Sequence, residues 1–271
     1  MDSVKRSLKK FYEEVGLKYP EEEIIYETLR GILRQRFVNR FLESINGSLL
    51  DVGCNRGMYL EYYQNGMRYG VELSLNVLLK AHNSKPKHLI VADAENLYCF
   101  RAQSFDNVLC SEVLEHCLDP IAVVQGIAHV LKPGGRALIT TPNYKKQPTK
   151  WIGLGSLPYY GVSCECDDRY YHTAFRPDEL KSLALKVGLK IIRVGTLERD
   201  IKYAAKLPAV ILLMGRFINR FIGSNRLFIA NQILFNKLTI LIYRICHTTG
   251  LDRLLLTLFP EGVRSFVLVK K

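Results

Sequence analysis

Glu112, Glu115 and His116, in the run SEVLEHCLDP, form the most informative group of chemically capable side chains in this 271-residue sequence. If the run opens a helix, the three fall at i, i+3 and i+4 and share one face. Two carboxylates and an imidazole on one face are a ligand set for a divalent cation, which would lower the pKa of a bound hydroxyl. Without a metal, Glu115 and His116 shape a pocket wall, and His116 stands as a general base. His172, in DDRYYHTAFRPDEL, is a second candidate base, although a lone loop histidine is more often structural or solvent-facing. Cys164 and Cys166, with His172 after them, lack a fourth ligand and read as ordinary thiols.

Three acids stand further upstream, each at the end of an apolar run. LLDVGCNRG places Asp51 at a strand end and Gly53, Cys54, Asn55 and Gly57 in the turn that follows. A backbone without Cβ atoms approaches a ligand closely, and the next helix offers free N–H groups. A carboxylate at Asp51 suits a cation or an amine, since it would repel a phosphate. GVELS places Glu72, followed by Leu73, 21 positions later, where a parallel neighbour presents an acid for ribose hydroxyls. VADAENL places Asp93 to accept from an exocyclic adenine amine and Ala94 to offer its backbone N–H. Either acid alone reads as a solvated strand end; three at successive strand ends on one edge are harder to explain that way.

These loops require a frame. From Gly47 to Glu198, the β-like runs SLLDVG, MRYGVEL, HLIVADA, FDNVLCS, RALITTP and LKIIRVGTLE alternate with helical patterns. Ile121, Val124, Ile127, Ala128 and Leu131 recur at helical spacing, with Pro133-Gly134-Gly135 as the expected stop. RPDELKSLALKVG carries Pro177 in its first turn and Gly188 at its end. Such alternation implies a mostly parallel sheet covered on both faces, with ligands beyond the carboxyl ends of its strands. The segment to about Ser44 reads as a helical cap, with Tyr12, Val15, Ile24, Leu29, Ile32, Leu33, Phe37 and Phe41 as core-facing positions. Residues 143–171, with Trp151, Tyr159 and Tyr160, read equally as a lid or acceptor wall and as a surface loop with its own cluster.

The segments LLDVGCNRG, GVELS, ADAENL, FDNVLCSEVLEHCLDP and LKPGGRALITTPN resemble, in order and spacing, the class I S-adenosylmethionine-dependent methyltransferases. The match spans roughly residues 47–198, and RSFVLVKK resembles the family's last, antiparallel strand. The resemblance implies an α/β, doubly wound, mostly parallel seven-stranded sheet of Rossmann-like type. An N-terminal helical cap (1–45) precedes the cofactor-binding core (46–200), and a helical insertion (201–262) precedes the last strand (263–271). It further implies that Asp51 and the Gly53–Gly57 loop hold the methionine end of the cofactor, Glu72 the ribose and Asp93 the adenine. Ser111 and Glu112 would line the floor near the methyl group. Asn55 departs from the family's usual glycine, and asparagine is the non-glycine residue best suited to left-handed backbone angles. The Glu112–Glu115–His116 triplet resembles that of ubiquinone-pathway O-methyltransferases, some of which are associated with a divalent cation such as magnesium.

The charge is unevenly placed. The formal net charge is +12, and residues 201–271 hold 11 Lys and Arg against 2 Asp and Glu. Within that region, the stretch from Leu227 to Ile245 contains Asn231, Gln232, Asn236 and Lys237, too polar for a span of about 20 apolar residues. Gln232, Asn236, Thr239, Tyr243 and His247 fall on one helical stripe, with Leu, Ile and Phe opposite; Arg216 and Arg220 are i, i+4 neighbours. Basic residues bordering apolar helices suit an anionic membrane surface. The alternative is a lobe that buries its apolar face on the domain or on the second subunit of a homodimer. An aliphatic, glycine-poor segment argues against nucleic acid. A charged N-terminus without an apolar run, and seven cysteines without a repeated pair spacing, point to a reducing, cytoplasmic setting.

The sequence therefore leads to the expectation of an O-methyltransferase with a hydrophobic or membrane-held acceptor, such as a quinone precursor or a lipid-linked sugar. Methylation of a soluble metabolite or RNA, with the insertion as an oligomer interface, is the runner-up. A non-catalytic cofactor-binding protein is disfavoured by the intact set of acids.

Overall fold

A computed structural model describes residues 2–81, 85, 87–164 and 168–271. The strands are β1 (Leu49–Val52), β2 (Arg68–Glu72), β3 (His88–Val91), β4 (Phe105–Ser111), β5 (Leu131–Pro142), β6 (Trp151–Gly153), β7 (Arg169–Tyr171), β8 (Lys190–Leu197) and β9 (Arg264–Lys270). The helices are α1 (Asp2–Lys18), α2 (Glu21–Ile25), α3 (Leu29–Glu43), α4 (Met58–Tyr62), α5 (Leu75–Leu78) and α6 (Pro120–Val130). They continue with α7 (Pro177–Lys186), α8 (Ile201–Ala204), α9 (Lys206–Ile222), α10 (Asn225–Thr248) and α11 (Leu251–Thr257).

Seven strands form one sheet in the order β3-β2-β1-β4-β5-β9-β8, and β6 and β7 form a separate antiparallel ribbon. β3 through β5 are mutually parallel, whereas β9 runs antiparallel to β5, from Arg136 opposite Lys270 to Pro142 opposite Arg264. The chain leaves β1 toward β2 and β3, then returns to place β4 on the other side of β1. At such a reversal, here between β1 and β4, doubly wound sheets bind ligands beyond the carboxyl ends of their strands. The run LLDV can form β1 because both neighbours pair with it and all four residues are buried.

Helix α6 ends earlier than its periodicity suggests. It stops at Val130, and Leu131 already pairs with Phe105 in the sheet. Pro133 disfavours helical angles at Lys132. The Pro-Gly-Gly run then bulges, because Arg136 is the next residue to pair, with Asn107. α7 begins at Pro177, and Gly188 beyond its end has φ +78°.

The chain divides into two compact units. One comprises the residues up to Tyr19, Val38–Gly195 and Arg264–Lys271; the other comprises Pro20–Phe37 and Thr196–Val263. The expected cap at 1–45 is thus split, and the core limit at 200 moves to 195. The physical reason is the partner that each apolar face finds. Phe11, Tyr12 and Val15 of α1 pack with Leu154, Val162 and Tyr170 in the sheet unit. Leu29 and Leu33 instead pack with Ile201, Tyr203, Ala204, Tyr243 and Cys246. Periodicity indicates that a face is apolar, not what covers it.

In the second unit the polar stripe of α10 is buried only at its centre: Gln232 and Asn236 are half-buried and His247 is exposed. Thr239 and Tyr243 are buried, and Arg36 donates to the Tyr243 hydroxyl at 3.2 Å. Leu227, Leu234 and Leu241, one heptad apart, are exposed instead. α9 and α10 meet where Gly215 faces Asn231, leaving room for no Cβ, and the Asn231 amide donates to the Leu212 carbonyl at 2.9 Å.

Candidate active site

The loop after β1 is shaped by three left-handed residues, Gly53 (φ +70°), Asn55 (φ +49°) and Gly57 (φ +83°). Gly53 is required twice over, since a Cβ there would also lie 2.3 Å from Cγ2 of Val113. Asn55 takes its angle as an asparagine can, and its side-chain oxygen accepts from the Arg56 N–H at 2.7 Å. The Gly53 and Cys54 N–H groups both donate to the Val71 carbonyl, at 2.7 and 2.9 Å. The turn is therefore tied to the end of β2. The Cys54 thiol is buried, and that burial pushes its pKa up.

Asp51 is buried at the end of β1, and its Oδ2 has no hydrogen-bond partner among the described residues. Burial first, and the nearby Glu72 charge second, hold its carboxyl well above the usual range. Glu72 accepts the N–H groups of Asn55, Leu73 and Ser74 at 3.2, 2.8 and 3.1 Å. Burial nevertheless raises its pKa against these three donors. A carboxylate offers about four acceptor positions, so Glu72 retains capacity for a further donor. At the end of β3, Asp93 caps a short 3-10 helix that begins at Ala94, accepting from the Glu95 N–H at 2.9 Å.

The structure changes the arrangement expected for SEVLEHCLDP. Glu112 has φ +61°, and only the turn Leu114–His116 is helical, of 3-10 type, so no helix face unites the triplet. Glu112 is engaged elsewhere: Thr140 Oγ1 donates to it at 3.1 Å, and Nε of Arg264 lies 2.5 Å from its Oε2. Ser111 Oγ is 2.9 Å from that same Thr140 hydroxyl. Pairing of β4 with β5, and β5 with β9, brings these residues to one edge.

The group that does converge is Glu115, His116 and His172, whose ligand atoms all lie within 4.8 Å of one another. Glu112 thus gives way to His172 in the expected metal set. The two imidazoles meet edge to face with centroids 5.0 Å apart, and Nδ1 of His172 is buried without a hydrogen-bond partner among the described residues. Glu115 is buried and accepts from Thr141 Oγ1 at 3.3 Å, while its carbonyl accepts from the Thr173 N–H at 2.8 Å. That last bond draws the segment after β7, which carries His172, against the 3-10 turn. Burial first, then the neighbouring His172, push the His116 pKa down to about 3, and burial also lowers that of His172. Cys164 donates to the Arg169 carbonyl at 3.0 Å; its companion Cys166 lies outside the described residues.

Helix α1 adds residues that the sequence marked only as packing or did not mark at all. The Tyr12 hydroxyl lies 2.9 Å from Nδ1 of His116, across 104 positions of sequence. Glu13 accepts from Ser74 Oγ at 2.7 Å and from the Leu75 and Asn76 N–H groups at 3.0 and 3.1 Å. Lys5 pairs with Glu95 and lies 3.8 Å from Asp93. One helix thus touches the ends of β2 and β3 and the histidine cluster. Nothing in its own sequence signals these partners beyond an apolar face that needs covering.

A mostly parallel sheet with one reversed strand, acids closing β1, β2 and β3, and a histidine cluster beyond β4 define a Rossmann-like methyltransferase. A methyltransferase domain model matches residues 50–139. The ubiquinone biosynthesis O-methyltransferase of Hydrogenovibrio crunogenus is 33% identical over 169 residues, covering 58% of this chain and 68% of that protein. That of Xanthomonas axonopodis pv. citri is 28% identical over 170 residues, covering 59% and 69%. Phosphoethanolamine N-methyltransferase 2 of Haemonchus contortus shares the fold at TM-score 0.56 and 21% identity, over 100% of this chain and 59% of that one. The chain belongs to the class I S-adenosylmethionine-dependent methyltransferases of the ubiquinone type, with S-adenosylmethionine as its methyl donor.

Proposed function

We propose that the protein methylates a hydroxyl oxygen on a hydrophobic, membrane-held small molecule, such as a quinone precursor or a lipid-linked sugar. The observation that carries this reading is the imidazole of His116, held by Tyr12 on one side and facing Glu115 and His172 on the other. Oxygen needs a group that takes its proton as it attacks, and a nearby imidazole supplies one. The names of the relatives, ubiquinone biosynthesis O-methyltransferases, point to the same acceptor chemistry.

The residues of the strand-end loops fit the donor. The buried Oδ2 of Asp51, without a partner among the described residues, suits an ammonium group. Glu72 would hold the ribose, and Asp93 with the Ala94 N–H the adenine; Gly53, Cys54, Asn55, Gly57 and Leu73 bring the backbone close. Ser111, tied to Thr140, and Glu112, tied to Arg264, would form the floor. The bound sulfonium supplies an already activated methyl group, so the chain must align the hydroxyl, exclude water and accept a proton.

His116 performs the last of these tasks at Nε2. The Tyr12 hydroxyl lies 2.9 Å from Nδ1, and the tautomer with its proton on Nδ1 would leave the Nε2 lone pair to accept the proton of the hydroxyl. His172 would adjust the position of the same hydroxyl. A divalent cation is a second reading, favoured by the convergence of three ligand atoms: Glu115, His116 and His172 would hold it, and it would lower the pKa of the acceptor.

The test is transfer of labelled methyl from S-adenosylmethionine into separated lipid, RNA and soluble-metabolite extracts, with and without chelator. Label in the lipid fraction, stable to alkali as an ether, is the expected result. Label confined to RNA or to soluble metabolites contradicts it. Loss of transfer with chelator, restored by a divalent cation, assigns the cluster to metal instead of to a base.

A further inference from the structure

We infer that the α9–α10 hairpin is a docking surface for an anionic lipid membrane, lying within the headgroup layer with its apolar side toward the acyl chains. This inference rests on the proposed membrane-held acceptor and specifies the surface that would reach it.

The hairpin has a polar contact where its helices cross, and its exposed surface carries large apolar side chains among basic ones. Asn231 donates to the Leu212 carbonyl across the crossing at Gly215, and Thr239 and Tyr243 point into the unit. A small residue that allows close approach, with an amide bonding across, is how helices associate when apolar side chains have a partner elsewhere. Leu213, Met214, Phe217 and Phe221 of α9 and Leu234 and Leu241 of α10 are all exposed, Phe217 by 65% and Phe221 by 76%. Leu213 and Phe217, and Met214 and Phe221, recur at the i+4 and i+7 spacings of a helix, so they form a ridge. A contiguous apolar patch of this kind marks an interaction site.

Charge decides what covers it. Residues 206–248 carry Lys206, Arg216, Arg220, Arg226, Lys237 and Arg244 and no Asp or Glu. All six are exposed, and Arg216, Arg220 and Arg226 cluster about the turn at Gly223 and Ser224. A second copy of the same face would set like charges against one another. RNA would satisfy the charges and leave the aromatic ridge without a partner. A bilayer rich in anionic lipid satisfies both, since each basic residue near its surface adds to binding and the rings enter below the headgroups. Spanning is not available: α9 has 17 residues, and among the described residues no helix is long and apolar enough to cross a membrane.

The test is sedimentation of the full chain with vesicles of equal parts phosphatidylglycerol and phosphatidylcholine, compared with vesicles of phosphatidylcholine alone. We expect binding to the first at low salt, with binding to the second at least roughly tenfold weaker. Arg216→Gln with Arg220→Gln should weaken vesicle binding roughly thirtyfold, from the loss of two basic contacts. Phe217→Ser with Phe221→Ser should weaken it by a similar factor or more. Both variants must retain wild-type affinity for S-adenosylhomocysteine, which establishes that the sheet unit is folded. Three results overturn the inference: a wild-type protein left in the supernatant, variants that bind as wild type does, or a lipid-free dimer that the Phe217→Ser, Phe221→Ser pair dissociates. Vesicle binding is read without turnover, so a protein that pellets but methylates only soluble compounds refutes the acceptor and spares the docking surface. One that methylates a dispersed lipid but never pellets does the reverse.

Discussion

At the carboxyl edge of the sheet, Asp51 sets a carboxyl group into an apolar core beside the half-buried Glu72; on the α9–α10 hairpin, Phe217 and Phe221 turn aromatic rings outward. Both arrangements run against what folding alone favours. A buried carboxylate oxygen without a donor costs stability, and so does an exposed ring. The sheet unit carries its misfit at a few atoms inside an otherwise well-buried core. The hairpin carries its misfit along a whole surface. The first pattern suits a small ligand that completes a polar site, and the second suits an extended apolar phase. Departures from local consistency of this kind gather at functional sites.

The largest expected effect breaks the first half of the comparison. Asp51→Asn should lower affinity for S-adenosylhomocysteine by about a hundredfold or more, as loss of one partner of a buried charged pair does. The ligand-free variant should at the same time be more stable than wild type near neutral pH, by about 1 kcal/mol or more. The sign follows from the raised pKa of Asp51 in the folded protein. Below the unfolded value of about 4 the carboxyl is protonated in both states; as pH rises through the interval up to the folded value, wild type loses stability that the variant keeps. The gap between their melting curves should therefore widen with pH above about 4 and close below it. Calorimetry on both proteins measures the two effects, and an Asn variant that is less stable and still binds would show that Asp51 is a structural acid.

A smaller effect sharpens the role of α1. Tyr12→Phe keeps the ring that packs with Phe11 and Tyr170 and removes the hydroxyl beside His116. We expect kcat to fall about tenfold through loss of the fixed tautomer, with KM for the donor and affinity for S-adenosylhomocysteine unchanged. If Tyr12 only packs, kcat is unchanged.

The two regions were unequally legible in the sequence. The acids Asp51, Glu72 and Asp93 could be placed because parallel strands bring their ends to one edge, and Asn55 could be read because its left-handed angle is a local property. The Glu112–Glu115–His116 helix face could not, because the positive φ of Glu112 is fixed by partners from β5 and β9. His172 stands out in sequence as a candidate base, but its convergence with Glu115 depends on the Thr173 N–H donating to the Glu115 carbonyl, far along the chain. In sequence Tyr12 reads as packing, and its contact with His116 spans 104 positions. On α10 the polar stripe is plain in the sequence, and only its surroundings show that Thr239 and Tyr243 are the part of it that is buried. Patterns within one element survive the passage from sequence to fold; choices between elements do not.

The most direct test of the account pairs the two regions in one assay. Methyl transfer to a long-chain phenol is measured with the acceptor held in phosphatidylglycerol-containing vesicles and, separately, dispersed in detergent. The Phe217→Ser, Phe221→Ser variant should lose at least about tenfold in rate on the vesicle-held acceptor and keep its rate on the dispersed one. Equal rates for variant and wild type on vesicles, or equal loss on both forms of the acceptor, would contradict the division of labour between sheet edge and hairpin.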